Sequence, residues 1–113
     1  MDSTPADRLD VIYQAYKAAF ARRGSDLKDC QTADQAQAVL ANVDALELAY
    51  LDAARQALDA NGPAVEAAYQ AAKSASDAVE QAYQKGQALA ARITAMAGVV
   101  TAVSNLVTKA AGA

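Results

Sequence analysis

The sequence predicts an all-α fold, an antiparallel helical hairpin or bundle of three to four helices that forms one domain over residues 1–113. Alanine is the strongest helix former and is depleted in strands, and it supplies 32 of the 113 residues. Only 5 glycines and 2 prolines interrupt the chain. Helix-capping signals also precede the apolar segments. Together these observations argue against a sheet-based fold.

The first helix is predicted over about 5–23. Thr4 is a suitable N-cap, and Pro5 fits the first helical position because the amide there needs no helical partner. The sequence Arg-Arg-Gly at 22–24 is typical of a helix end. Spacings of three and four residues define the predicted packing face of this helix, which consists of Leu9, Ile12, Tyr13, Tyr16 and Phe20.

A loop over 24–31 and a second helix over about 32–60 are predicted next. Thr32 and Gln35 have the spacing of a capping box, which marks the start of this helix. The sequence Asn-Gly-Pro at 61–63 predicts a turn. Because so short a turn joins the second and third helices, we expect them to pack as an antiparallel pair.

The third helix is predicted over about 63–110 with a heptad pattern. Steps of four and three residues from Val65 reach Val107 without a change of phase, which is typical of a coiled coil. Gly86 is the weak point of this long helix, since glycine destabilises a helix interior. A continuous helix would give an elongated three-helix rod, which the heptad phase favours, and a break near Gly86 would give a compact four-helix bundle.

Several function classes lack the residues that they need. The chain has no histidine and one cysteine, so the commonest general base and a zinc site are missing. The net charge of −3 and the lack of a basic stripe argue against nucleic-acid binding. We therefore expect a protein that is not an enzyme, with no catalytic residue, no metal site and no cofactor.

The same features bear on localisation. Cys30 has no partner for a disulfide within the chain, which is typical of a reducing compartment such as the cytoplasm. The polar, acidic N-terminus does not resemble a secretory signal, although export without a signal stays open. The longest uncharged segment, 93–108, is short for a membrane span but suits insertion into a membrane surface.

The C-terminal segment is apolar on nearly all sides, and a helix of this kind is buried by several neighbours. Helices of the same chain, a second copy of the chain or a membrane surface could each cover it. Its predicted interaction face consists of Ile93, Met96, Val99, Val100, Val103, Leu106 and Val107.

We expect a structural or protein-interaction module that forms a homo-oligomer or binds a partner helix through this stripe. The alternative is a small exported or membrane-surface-active helical protein. In size and hairpin layout the chain is similar to secreted helical hairpins of bacterial secretion systems, although it has no Trp-x-Gly turn.

Overall fold

Four α-helices make up the protein in a computed structural model, which describes residues 2–112. No strand occurs within that range, and the predicted all-α bundle is confirmed. The helices are α1 (Pro5–Asp29), α2 (Ala33–Ala54), α3 (Pro63–Gln84) and α4 (Leu89–Ala110). The described part of the chain measures 43 × 25 × 18 Å.

The helices pack as two hairpins, α1 with α2 and α3 with α4, and α4 contacts all three other helices. Helices α2 and α3 do not contact each other, so the predicted antiparallel pairing of the second and third helices is wrong. The reason is the connection between them. Helix α2 ends at Ala54, and the linker 55–62 crosses the end of the bundle to the opposite corner.

Helix α1 begins as predicted but ends later. The Thr4 hydroxyl accepts from the Asp7 amide at 3.1 Å, and the Asp7 carboxylate accepts from the Thr4 amide at 2.9 Å. The helix then continues through Gly24 to Asp29, so the predicted end at 23 and most of the predicted loop are wrong. Contacts of Asp26 with α3 and α4 stabilise the added turns.

Helix α2 begins at the predicted cap, where the Thr32 hydroxyl accepts from the Gln35 amide at 3.1 Å. It ends about six residues before the predicted position, because Leu58 leaves the helical conformation with φ of 53° and enters the core. The amide of Ala60 donates to the Ala110 carbonyl at 3.0 Å. The linker is thus held against the end of α4.

The break near Gly86 is present, and the continuous helix of the rod arrangement is wrong. Gly86 has φ of 65°, a left-handed conformation that glycine adopts without strain, and it lies in the turn between α3 and α4. The turn also changes the phase of the core. In α3 the predicted seam residues Val65, Ala72 and Val79 are buried, whereas the seam residues Ala97 and Ser104 of α4 are exposed.

The core is built from many small residues around α4. Alanines at 15, 19, 49, 53, 68 and 72 are buried, which lets the helices approach one another closely. Ile12, Leu46, Val103 and Leu106 supply larger side chains with no exposed surface. An alanine-rich core leaves several bulkier residues of α1 and α2 outside it.

Candidate functional site

The predicted interaction face of α4 lies mostly inside the bundle. Five of its residues, Met96, Val99, Val103, Leu106 and Val107, are buried by the chain's own helices. Ile93 and Val100 are half-buried. The outer side of α4 carries alanine, glycine, serine and threonine, with Asn105 and Lys109 toward its end. In the folded chain most of this stripe is therefore part of the core, and only Ile93 and Val100 keep appreciable exposed surface.

The predicted packing face of helix 1 is only partly inside. Ile12 is fully buried, and Leu9 and Tyr16 are half-buried. Tyr13 and Phe20 lie outside, with 36% and 49% of their surface exposed. Apart from Ile12, the residues of α1 that are buried in the core are small or polar, namely Arg8, Ala15, Ala19 and Asp26. The bulky stripe seen in the sequence is rotated toward α2 and solvent.

The rings of this stripe form an aromatic cluster where α1 and α2 meet. The Tyr13 and Tyr50 ring centroids are 5.0 Å apart, and the Tyr16 ring stacks on Tyr50 at 6.0 Å. Phe20 packs edge-on against Tyr16 at 6.1 Å. Offset and edge-to-face contacts of this kind stabilise aromatic groups. The cluster is a rigid surface, since each ring is held by at least one other.

Exposed leucines of α2 extend this surface. Leu40, Leu48 and Leu51 are 40%, 62% and 44% exposed. Glu47 bonds across to Tyr16 of α1 at 3.3 Å. Leu40 precedes Glu47 by seven residues and Leu51 follows it by four, so both leucines lie on the same side of α2 as Glu47.

We call this surface the α1–α2 face. It is defined by the large hydrophobic side chains that are exposed in the described part of the chain, Tyr13, Phe20, Leu40, Leu48 and Leu51. The sequence contained a signal for part of it, because Leu48 and Leu51 lie outside the apolar stripe of the second helix, which contains Val39, Val43, Leu46 and Tyr50 at spacings of three and four residues. A bulky residue outside the stripe of an amphipathic helix is expected to be exposed.

Charged groups of both signs lie along the α1–α2 face. On α1, the Lys17 ammonium is 5.4 Å from the centre of the Tyr13 ring, and the Arg23 guanidinium is 4.6 Å from that of Phe20. On α2, Asp44 is exposed beside Glu47. Partial burial and the Glu47 carboxylate raise the pKa of the Tyr16 phenol, so this phenol stays protonated near neutral pH. The α1 side of the face is thus mainly cationic and the α2 side anionic.

Two depressions of more than 200 Å³ adjoin α1. One, of about 250 Å³, lies on the α1–α2 face between Ala6, Leu9, Tyr13 and Tyr50, with Asp10 at its edge. The other, of about 230 Å³, lies between α1 and α3. Its floor consists of core residues such as Val79 and Val99, which are almost completely buried. Only the first depression adjoins exposed aromatic rings.

A polar cluster closes the end of the bundle where the linker 55–62 lies. Arg8 is fully buried, and its guanidinium donates to the carbonyls of Leu58 and Ala60, each at 2.7 Å. Ser3 accepts from Arg8 and donates to the Glu66 carboxylate at 2.6 Å. The hydrogen bonds from Ser3, with a smaller effect of Arg8, lower the pKa of the Glu66 carboxyl. We call this the Arg8 cluster.

A second polar cluster lies at the opposite end, where α1 ends and α4 begins. Arg92 donates to Asp26 and to Asp29, each at 2.8 Å. The Tyr83 hydroxyl donates to Asp26, and the guanidinium groups of Arg22 and Arg92 lie 3.9 Å and 5.2 Å from the centre of its ring. Burial and the Asp26 carboxylate raise the pKa of Tyr83. We call this the Asp26 cluster.

Neither cluster was identified from the sequence. The four residues after Gly24 had no apolar period, which gave no reason to place Asp26 in a helix or in the core. Arg8 likewise resembles an ordinary solvated cation of a first helical turn. Both clusters connect elements that are distant in sequence, and their partners become neighbours only in the bundle.

The remaining candidate groups have simple surroundings. The Cys30 thiol is half-buried and lies 3.3 Å from the Asp26 carbonyl at the end of α1. Within residues 2–112, no three His, Cys, Asp or Glu side chains are grouped as a metal site would require. By length and composition α4 could cross a membrane, with a mean hydropathy of 1.4, but the core helix of a bundle shares this property.

Comparisons with known proteins find no match for this chain, whether with protein families, with curated proteins or with solved structures.

Proposed function

We propose that this protein is a non-enzymatic protein-interaction module that binds through the α1–α2 face. The observation that carries the proposal is the grouping of exposed large hydrophobic side chains on one pair of helices. Single exposed leucines are common, whereas a contiguous apolar patch with charged residues at its edge is typical of an interface. Interface centres are also enriched in tyrosine and phenylalanine.

The internal contacts of the α1–α2 face suit it to binding. The three tyrosines and Phe20 hold one another in place, so little side-chain freedom is lost when a partner covers them. Leu48 and Leu51 project beside them from a regular helix. Such a surface fits the apolar side of a partner helix, which is the recognition mode that the sequence also favoured.

Binding through the predicted interaction face of α4 stays a prediction, and it applies to a conformation of the chain in which α4 is not packed in the bundle. Because five of the seven residues of this face are buried by the chain itself, α4 would have to leave the bundle before a partner could reach them. Exchange of the α3–α4 hairpin between two copies would be one such state. The α1–α2 face requires no such rearrangement, and for this reason we favour it.

Photo-crosslinking tests the proposal. A benzoylphenylalanine at position 51 lies on the α1–α2 face, and the same group at the exposed position 71 of α3 is the matched control. We expect a discrete adduct from position 51, and none from position 71, in extracts of cells that produce the protein. Equal labelling from both positions, or no adduct from either, would contradict the proposal.

Binding to a membrane surface is the second candidate, and the apolar composition of α4 favours it. It requires α4 to turn its buried side toward lipid. Sedimentation with vesicles of anionic phospholipid tests it directly. Co-sedimentation that Val103→Asp abolishes would support the candidate, and recovery of all protein in the supernatant would remove it.

A further inference from the structure

We propose that the partner of the α1–α2 face is a second copy of this chain, bound about a two-fold axis that runs parallel to the helices. Helix α1 of each copy then lies against α2 of the other. This inference rests on the proposed function and adds the identity and orientation of the partner. Its basis is the order of charges and apolar groups along the two helices.

The contact between Tyr16 and Glu47 fixes the register of α1 and α2 within one chain. The helices are antiparallel, so positions before Tyr16 are level with positions after Glu47. A two-fold axis parallel to the helices leaves the position of every residue along the helix direction unchanged. It places α1 of one copy opposite α2 of the other. Within one chain, each segment of α1 lies at the same height as a certain segment of α2. In the dimer it faces that same segment of α2 in the second copy.

Three pairs of charges on the α1–α2 face have opposite signs at matching heights. Asp52 is level with Asp10, but it projects about 100° farther round α2 than Leu51. On α1 the order is Asp10, Lys17 and Arg23, which is negative, positive and positive. On α2 and at its C-cap, in the same spatial direction, the order is Arg55, Glu47 and Asp44, which is positive, negative and negative. At a rise of 1.5 Å per residue, the two members of each pair differ in height by about 6 Å or less.

The other face-to-face arrangement has less of this complementarity. A two-fold axis perpendicular to the helices places α1 on α1 and α2 on α2. When that axis passes through the aromatic cluster, Lys17 faces Lys17 of the second copy and Glu47 faces Glu47, so that on α1 only Asp10 and Arg23 meet with opposite signs. Like charges that meet in an interface oppose binding, so the charge order selects the parallel axis.

The apolar groups are complementary in the same arrangement. Leu51 is level with Tyr13 and with the depression of about 250 Å³ beside it. Leu40 lies within one helical turn of the height of Phe20. The leucines of one copy thus cover the rings of the other, and burial of these exposed side chains supplies the driving force.

Charge reversal with light scattering after size exclusion tests the proposal. The wild-type chain should change from 11.6 kDa toward twice that mass as its concentration rises. Lys17→Glu with Arg23→Glu, or Asp44→Lys with Glu47→Lys, should each raise the dimer dissociation constant roughly a hundredfold. An equimolar mixture of the two double variants should restore a dimer that contains one copy of each.

Two controls keep the test decisive. Lys73→Glu with Asp77→Lys reverses charges on the exposed side of α3 and should leave the mass of the wild-type dimer unchanged. Circular dichroism shows whether each variant is folded. If a charge variant unfolds, Leu48→Ser, at a fully outward position, provides a second route to the same loss of dimer.

A wild-type mass that stays at 11.6 kDa over the whole concentration range would overturn the second-copy proposal. So would a mixture of the two double variants that stays monomeric. If the purified chain is monomeric but position 51 crosslinks to a different protein, the second-copy inference is wrong and the interaction module stands. If position 51 also gives no adduct, both are wrong.

Discussion

The two ends of the bundle each bury one charged residue of α1, but they stabilise it with different partners. Arg8 donates to backbone carbonyls, those of Leu58 and Ala60 in the linker and that of Ser3, as well as to side chains, whereas Asp26 binds the side chains of Tyr83 and Arg92. The linker lacks helical hydrogen bonds of its own, so its buried carbonyls need a donor from elsewhere. The turn near Gly86 is short and satisfies its own backbone.

This difference shows that the length of the connection between two helices determines whether its backbone needs hydrogen-bond donors from elsewhere in the protein. A long irregular connection across a bundle end needs a dedicated donor, and the fully buried Arg8 supplies one. A tight turn needs none, and the charged groups beside it attach the end of α1 to α3 and α4. We therefore expect the Arg8 end to lose more stability than the Asp26 end when its central residue is replaced.

The largest effect is expected for Arg8→Met. This change keeps much of the side-chain volume but leaves the carbonyls of Leu58 and Ala60 buried without their donor, at a cost of about 3–5 kcal/mol. Urea unfolding followed by circular dichroism measures it. Lys85→Met, at an exposed position, is the control and should change stability by about 0.5 kcal/mol or less. A loss below about 1 kcal/mol for Arg8→Met would contradict the role of this residue.

A smaller loss is expected for Asp26→Asn, which removes a buried carboxylate from Arg92 and Tyr83. Hydrogen bonds to charged groups contribute about 1.5–3 kcal/mol, and we expect a loss in that range. Asp29→Asn is matched to it, since Asp29 binds the same arginine but its side chain is 52% exposed. An exposed ion pair contributes about 1 kcal/mol or less. Equal losses of stability for the two variants would contradict the expectation that the buried carboxylate of Asp26 stabilises the fold more than the exposed carboxylate of Asp29.

Two glycines near the Asp26 end should respond in opposite directions. Gly86→Ala places a side chain at φ of 65° and should destabilise the protein by about 1–2 kcal/mol. Gly24→Ala should stabilise it by about 0.5–1 kcal/mol, because Gly24 lies inside α1. An added methyl group meets no atom within 4 Å at either position, so crowding does not explain the contrast. Destabilisation by Gly24→Ala would contradict the observed end of α1.

The smallest effects concern pH, and they have opposite signs at the two ends. The pKa of Glu66 is lower in the folded chain than in the unfolded chain, so its stabilising effect is present above the ordinary carboxyl pKa and is lost on acidification. The pKa of Tyr83 is raised, so its stabilising effect is complete below the ordinary phenol pKa and declines as pH rises above it.

Urea midpoints measured across the pH range would show both effects. In a plot of the urea midpoint against pH, Glu66→Gln should reduce the fall of the midpoint on the acid side. Tyr83→Phe should reduce the fall on the alkaline side. Tyr69→Phe, at another position of α3, is the control for the loss of a hydroxyl. A fall on the alkaline side that stays unchanged in Tyr83→Phe would assign the effect to another group.

Local sequence signals predicted where helices begin more accurately than where they end. The caps at Thr4 and Thr32 lie where their hydroxyls predicted them, because an N-cap bond joins residues three apart. The end of α1 was predicted too early, since contacts of Asp26 with residues far away in sequence continue the helix past Gly24. The end of α2 was predicted too late, because burial of Leu58 favours an irregular linker.

The candidate site was predictable only in part. The aromatic residues of α1 were recognised as one stripe, but no local pattern indicated that alanines would fill the core beside them. The apolar side of α4 was recognised as a surface that some partner must cover. That partner within the folded chain is the rest of the bundle, which only the packing of all four helices reveals.

The sequence by itself determined the all-α class, the two N-caps and the amphipathic stripes, because these depend on propensity and on groups within one or two helical turns. The tertiary structure decided the pairing of helices, the break near Gly86, the ends of α1 and α2 and the exposed side of the aromatic stripe. Each of these depends on which of several competing apolar faces is buried. That competition is resolved by contacts between residues far apart in the chain.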